Sequence, residues 1–363
     1  MHKKLMHTAA NIALFAVSGI GAQLLTDSAI AQDESSSDAA GTRYTGDTVR
    51  LDPSHPNSYD AFAPELPATR ARMPDIPGTG VYVEEVKPNL FYVTGGVYTS
   101  AFVVTDEGLV VIDAPPSFGN ALPDVLAEAA PGLPIAYLVY SHGHTDHIGG
   151  SSVFADVPNL QILAPASVAE SIAQRGHPGI LVPNLTYEDD YEFSLGGEVF
   201  ELRTANYHST DHDAIIYLPN KKFLVAVDTV TPGEVPFMNF GATSDFQAYL
   251  ENFDELLAYD FDLLLSGHIS FLATRDDVLE AQAYTRDVQQ QVRSRMPGFD
   301  QRVGENLAAI GFANANLAYR MAIEGIRDEC SAALIDEWQD RLSVVDVYAD
   351  SHCRMVILHA VMN

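Results

Sequence analysis

The chain has 363 residues, 47% of them hydrophobic, and carries 49 acidic against 20 basic side chains for a formal net charge of −29. Such a solvated acidic surface repels phosphate backbones and anionic lipid, so nucleic acid and membrane surfaces are excluded as partners and a small-molecule substrate is expected.

Residues 1–31 read as a secretory signal peptide. Lys3 and Lys4 precede an uncharged apolar stretch from Ala9 to Leu25, and Ala29-Ile30-Ala31 supplies an A-x-A cleavage site. Removing it (Lys3, Lys4 and Asp27, net +1) takes −29 to −30 and predicts a periplasmic or secreted protein. No later apolar run is long enough to span a bilayer, so no membrane contact is expected after cleavage. Residues 32–80 read as an irregular linker or surface-wrapping arm. Gln32 to Ala40 is acidic and Ser-rich, and Pro53, Pro56, Pro64, Pro67, Pro74 and Pro77 follow without apolar periodicity.

Order is expected from Val81. Val81 to Val86, Leu90 to Thr94, Ala101 to Thr105 and Leu109 to Ile112 are short β-branched and aromatic runs separated by turn residues, a β-meander. A helix is predicted over Phe118 to Ala130, then a strand over Ile135 to Tyr140. Strands are predicted over Phe200 to Ala205, Ala214 to Leu218, Lys222 to Val227 and Leu263 to Leu265, with a helix over Phe246 to Tyr259. Beyond Arg275 the pattern is helical over Asp277 to Arg295, Glu305 to Ile326 and Ser331 to Leu342. This C-terminal extension, residues 285–363, is expected either to roof the site or to form a homodimer surface. Cys330 and Cys353 are the only cysteines; in an oxidising compartment they either pair or stay as buried thiols.

The chemistry is concentrated in His142-Gly143-His144-Thr145-Asp146-His147, directly after an apolar strand. His142 and His144, two apart on extended chain, point the same way and can grip one metal ion. Asp146 and His147 follow where the chain should turn into a helix, aimed at a second ion. Three further ligand-type residues sit just past apolar strands: His208, Asp228 and His268. Strand ends are where α/β architectures place their sites.

Together these motifs resemble the metallo-β-lactamase superfamily over residues 81–284. They are Asp113 in Val-Ile-Asp-Ala-Pro, the signature His142 to His147, His208, Asp228 in Ala-Val-Asp-Thr, and His268 in Ser-Gly-His. The resemblance implies an α+β fold, a four-layer αββα sandwich with the site between its two sheets. It implies that His142, His144 and His208 hold one metal, that Asp146, His147 and His268 hold the other, and that Asp228 bridges both. His212 is the rival of His208, and Asp113 would orient a ligand histidine.

All-nitrogen-and-oxygen ligands suit two Zn²⁺ per chain, with Mn²⁺ or Fe²⁺ as alternatives. A zinc-held water ionises at a pKa of about 7, so a metal-bound hydroxide would attack an activated carbonyl. Asp146 is the expected catalytic carboxylate, orienting the nucleophile or taking its proton. A bridging aspartate at Asp228 resembles lactonases, thioesterases and phosphodiesterases, whereas Thr231 matches neither the usual lactamase lysine nor the lactonase tyrosine. The expectation is an exported hydrolase of a lactone, ester or β-lactam. A β-lactamase proper and a mononuclear-iron persulfide dioxygenase-like oxidoreductase are the alternatives. Tyr98, Phe237, Met238 and Phe240 are the candidate pocket walls.

Overall fold

The computed structural model describes residues 49–50, 61–210 and 212–362, all within Arg43–Asn363, one of the two compact units into which the chain divides. The expected signal peptide and residues 32–48 and 51–60 of the expected linker lie outside the described residues. Val49–Arg50 (β1) pairs antiparallel with Ala61–Phe62 (β2), and Pro67–Arg70 (α1) makes one helical turn begun by its proline.

The meander forms as its pattern predicts. Tyr82–Lys87 (β3), Leu90–Thr94 (β4), Thr99–Thr105 (β5) and Gly108–Ile112 (β6) pair antiparallel in sequence order. Ala121–Ala129 (α2) then crosses to Ile135–Val139 (β7), parallel to β6. Thr145–Ile148 (α3) leads to Gln161–Pro165 (β8), and Ala166–Arg175 (α4) leads to Leu185–Tyr187 (β9). Both strands add in parallel and complete a seven-stranded sheet.

A second sheet of five strands holds Asp190–Leu195 (β10), Glu198–Ala205 (β11), Asp213–Leu218 (β12), Phe223–Val225 (β13) and Leu263–Leu265 (β14). Met238–Ala242 (α5) and Phe246–Leu256 (α6) lie in the crossover that brings β14 parallel to β13.

The two-residue period of the strands decides the layers. In β6, Val110 and Ile112 pack between the sheets with Phe200, Ile216 and Val225. Leu109 and Val111 face the other way, onto Leu122 and Leu126 of α2 and Val168 and Ile172 of α4. In the second sheet Leu224 and Leu264 point outward onto Tyr249 and Phe253 of α6. Helix, sheet, sheet, helix is the expected αββα sandwich.

Arg275–Arg295 (α7), Phe299–Ile310 (α8), Ala315–Trp338 (α9) and Val345–Met362 (α10) follow. They extend the outer helical layer of the second sheet: Val278, Tyr284, Ile326, Trp338 and Cys353 share one buried cluster with Leu224 and Leu264. The boundary expected between 284 and 285 therefore falls inside α7, whose start is set by a reciprocal capping box between Thr274 and Asp277. The helix expected over Glu305 to Ile326 is two helices, because Gly311 at φ 76° ends α8. The one expected over Ser331 to Leu342 is the second half of α9. Cys330 and Cys353 are bonded, joining α9 to α10 with their α-carbons 6.0 Å apart. Among the described residues no helix is long and apolar enough to cross a membrane.

Candidate metal centre

The site is assembled from the ends of strands. After β7 the chain stays extended through His144, then turns into α3, whose first turn carries Asp146 and His147. Three anchors hold this segment. The Ser141 N–H donates to Asp113 Oδ1 at 2.8 Å, and the Ala214 N–H donates to the Ser141 carbonyl at 2.6 Å. The Arg175 guanidinium donates to the Gly143 carbonyl at 2.8 Å.

Asp113 and Asp228 end β6 and β13 with left-handed backbone, at φ 60° and 66°. Such strain persists where surrounding bonds impose it. Asp113 N–H donates to the Val139 carbonyl, and Asp228 N–H to the Ser266 carbonyl, both at 2.9 Å. Gly267, before His268, is required: a Cβ there would sit 2.4 Å from Val227 and 2.9 Å from the His147 ring.

The ligand-type atoms converge in two groups: His142, His144, His208 and Asp228, and Asp146, His147 and His268. Within each group they lie within 4.8 Å of one another. Asp228 divides its carboxylate between them. Its Oδ1 lies 3.1 Å from His147 Nε2 and 3.2 Å from His268 Nε2. Its Oδ2 lies 3.4 Å from His142 Nε2, 3.8 Å from His208 Nδ1 and 4.0 Å from His144 Nδ1. Asp146 Oδ2 lies 3.4 Å from His147 and 3.6 Å from His268.

Tautomers follow from the other ring nitrogens. A carbonyl can only accept, so His208 Nε2 donates to Gly241 O at 2.5 Å and leaves Nδ1 free. His142 Nδ1 meets Ser141 Oγ at 3.0 Å, leaving Nε2. The free atoms His142 Nε2, His147 Nε2, His208 Nδ1 and Asp228 Oδ1 are all buried without a hydrogen-bond partner. Buried polar atoms left without a partner are costly, and imidazole nitrogens and a carboxylate oxygen converging on one space suit a metal ion, which would displace any ring protons there.

Burial penalises the charge of Asp228, but His147, His142 and His268 hold its carboxyl well below the usual range. Burial likewise opposes a charged His147, yet Asp228, Asp146 and Asp113 raise it to about 9. His208 also rises to about 9 against burial, through Asp213 and Asp228. His144 falls to about 4, from burial and then from His142 and His208. Asp146 is lowered to about 2, burial being outweighed by His268 and His147.

All seven expected ligand residues meet here. His212 does not: its Nδ1 contacts Ser167 Oγ at 2.8 Å, away from both groups. Asp113 reaches the ligand histidines through its charge, which acts on His147 and His142. It holds the backbone N–H beside His142, and among the described residues no hydrogen bond joins it to a ligand ring. Asp213 was not anticipated. Wholly buried, it accepts the N–H groups of Tyr207, His208 and Ser209 at 3.0–3.2 Å and so shapes the loop that presents His208. A lone aspartate opening an apolar strand was its only signal.

The centre opens into a cavity of about 640 Å³. Tyr98 and Phe237 line it as expected, Tyr98 with its ring 5.1 Å from His268 and 5.9 Å from His147. Two expected walls are elsewhere. Asn239, Phe240 and Gly241 are left-handed within α5, which turns Phe240 into the core against Phe246, Tyr249 and His352. Met238 is exposed and lines a separate groove beside α10. The walls that sequence reasoning missed are Glu65, Met73, Glu234 and Tyr348. No Lys or Arg lines the cavity among the described residues.

A family profile described as "Metallo-beta-lactamase superfamily" matches residues 93–268, the span that carries this centre. The chain belongs to the metallo-beta-lactamase superfamily. That superfamily binds metal ions, and the two converging groups are where this member gathers its ligand atoms. The chain is 32% identical over 197 residues to the 2,4-dinitroanisole O-demethylase subunit alpha of Nocardioides sp. (strain JS1661), covering 53% of this chain and 59% of that one. It is 27% identical to the (R)-specific secondary-alkylsulfatase of Pseudomonas sp., over 41% of this chain and 30% of that one. The solved structure of a stereoselective inverting sec-alkylsulfatase from Pseudomonas sp. aligns with a TM-score of 0.52 at 20% identity, covering 77% of this chain and 50% of that one. The chain thus spans about three-fifths or less of these relatives' length, and the last likeness is one of fold.

Proposed function

We propose that this protein is an exported, metal-dependent hydrolase that holds two zinc-class ions and cleaves an activated carbonyl, a lactone or ester ahead of a β-lactam. The observation that carries the reading is the divided carboxylate of Asp228, one oxygen to each ligand group. Ions there would supply Lewis acidity, polarising the group under attack and bringing water into the titration range of neutral pH.

The chain's own residues do the rest. Asp146 is partly exposed on the cavity wall and stays ionised, so its free lone pairs can orient the nucleophile and accept its proton. Burial, then Asp146 and Asp228, raise the Tyr98 hydroxyl, which therefore remains a hydrogen-bond donor at neutral pH. Apolar Met73, Val97 and Phe237 would hold the substrate body and limit water. Among the described residues the cavity lining holds acidic groups and no Lys or Arg, which argues against a substrate that must bring a carboxylate or phosphate beside the reacting group. The signal-like N-terminus and the Cys330–Cys353 bond support export.

A second reading is cleavage of an alkyl sulfate ester or aryl ether, favoured by the named relatives. One panel tests both: nitrocefin, a homoserine lactone, a p-nitrophenyl ester, bis-p-nitrophenyl phosphate, a secondary alkyl sulfate and 2,4-dinitroanisole, each with and without chelator. The expected result is chelator-sensitive turnover led by lactone or ester. Turnover of the sulfate or ether alone would move the assignment to the second reading.

A further inference from the structure

Around Phe237 the cavity wall carries carboxyls and a second aromatic ring that the chemistry above does not use. This part of the wall comes from three separated stretches of chain: Glu65 in the arm before α1, Glu234 and Phe237 in the loop after β13, and Tyr348 on α10. Phe237 and Tyr348 meet edge to face with centroids 5.4 Å apart, and Phe237 remains 60% exposed. Among the described residues no hydrogen bond or ion pair reaches the Glu234 carboxyl, whereas Glu65 is paired with Arg70 at 2.9 Å. Burial, then the Glu65 charge, push Glu234 up to about 7, so the wall holds a carboxyl whose ionisation lacks a cation nearby. Glu234 lines the same cavity as the aromatic pair, and after burial its charge raises the Tyr348 hydroxyl.

Aromatic faces next to an unpaired carboxylate are the chemistry that recognises an ammonium group: the rings attract it through their quadrupole and the carboxylate through its charge. Anions meet only repulsion there. We propose that Glu234, Phe237 and Tyr348, backed by Glu65, form a subsite for a positively charged ammonium group on the non-reacting part of the substrate. The turnover consequence rests on the hydrolase reading; the binding consequence does not.

The test uses the full-length, metal-loaded protein and two probes of equal shape, choline and its uncharged carbon isostere neohexyl alcohol, titrated calorimetrically. Choline should bind about tenfold or more tightly than the alcohol. Glu234→Gln should bring the two to near equality, and Tyr348→Ala should weaken choline alone. Metal content verifies that each variant is folded. Equal binding of the two probes, no choline binding at tens of millimolar, or a preference that survives Glu234→Gln would overturn the subsite. In a parallel arm, kcat/KM is compared for acetylthiocholine and neohexyl thioacetate. If neither is cleaved while choline still binds through Glu234, the hydrolase reading fails and the subsite stands. If both are cleaved at equal efficiency, the subsite fails and the hydrolase reading stands.

Discussion

The two-sheet body and the segments that flank it contribute differently to one cavity. In the body, His142, His147 and His208 are buried and the Asp228 side chain is 7% exposed. The segments that carry them are braced by bonds from Ala214 to the Ser141 carbonyl, from Ala114 to the His147 carbonyl, from Asp228 to the Ser266 carbonyl and from the His208 N–H to Asp213. In the flanks, the arm and α10 supply partly exposed side chains; α10 packs into the outer helical cluster, and polar contacts tie the arm to the start of α10 and to the loop after β13. Ala63 N–H donates to Asp346 at 2.6 Å, Leu66 N–H to Ser343 Oγ at 2.9 Å, and Thr69 Oγ1 to the Gly233 carbonyl at 3.0 Å. Arg72 pairs with Asp277 at 2.6 Å. The loop after β13 belongs to both: it begins at Asp228 and passes under Ser343, whose N–H donates to Gly233 O while its carbonyl accepts from Val235 N–H, at 2.9 and 3.2 Å. The proposed chemistry thus rests on buried, backbone-braced groups, and the proposed selectivity on side chains that touch no ligand atom.

If that division holds, damage to the body should remove chemistry and damage to the flanks should alter binding or stability. The largest effect is expected from Asp228→Ala, which leaves five histidines facing one another without their shared carboxylate. Elemental analysis should show fewer than two metals per chain, with turnover down on the order of 10³ or more. An Asp228→Ala protein that retains both metals would break the comparison on the body side. Asp146→Asn keeps shape and removes charge at the cavity wall. Turnover should drop on the order of 10² with the fold intact by circular dichroism.

On the flank side, Cys330→Ser with Cys353→Ser opens a 23-residue cross-link. Denaturant titration should show a loss of about 3 kcal/mol. Metal content should stay unchanged while KM rises, because Tyr348 and the carbonyl of Phe237, which His352 contacts at 3.2 Å, depend on α10. A variant that loses metal before it loses stability would show the two regions to be one.

The same division explains what could be read from the residues alone. Six contiguous positions from His142 to His147 announce their chemistry because a strand-to-helix turn lets neighbours in sequence converge on one space. Asp228 and His268 were visible because a ligand-type residue follows an apolar run in each case. The walls beyond Tyr98 and Phe237 were invisible, since Ala63 and Asp346 meet across 283 positions and Thr69 and Gly233 across 164. Phe240 misled because period and composition say nothing of three successive left-handed residues. Strands β8, β9 and β10 escaped as well. Asp190-Tyr-Glu-Phe-Ser-Leu alternates polar and apolar at every position and was a legible strand signal left unread, whereas Leu185–Tyr187 is only three residues long.

The smallest effect concerns Glu234 and sharpens the comparison most finely. Its carboxyl shares the cavity with Glu65 (itself beside Arg70), with Tyr348, and with Asp146, Asp228, His144 and His268. Burial and the Glu65 charge raise it from 4.5 to about 7, so the folded chain favours its protonated form. The stabilisation this gives is fully present below the unfolded value near 4.5, declines as pH rises, and is gone above about 7. Glu234→Gln carries no charge at any pH. All other titrating groups are common to both proteins, so the difference between their melting curves isolates this carboxyl. The variant should match its parent at pH below 5 and exceed it above pH 7 by a few degrees, on the order of 2–4 °C. A pH-independent offset would mean that the carboxyl is solvated and carries no such strain, and the wall would then be ordinary surface.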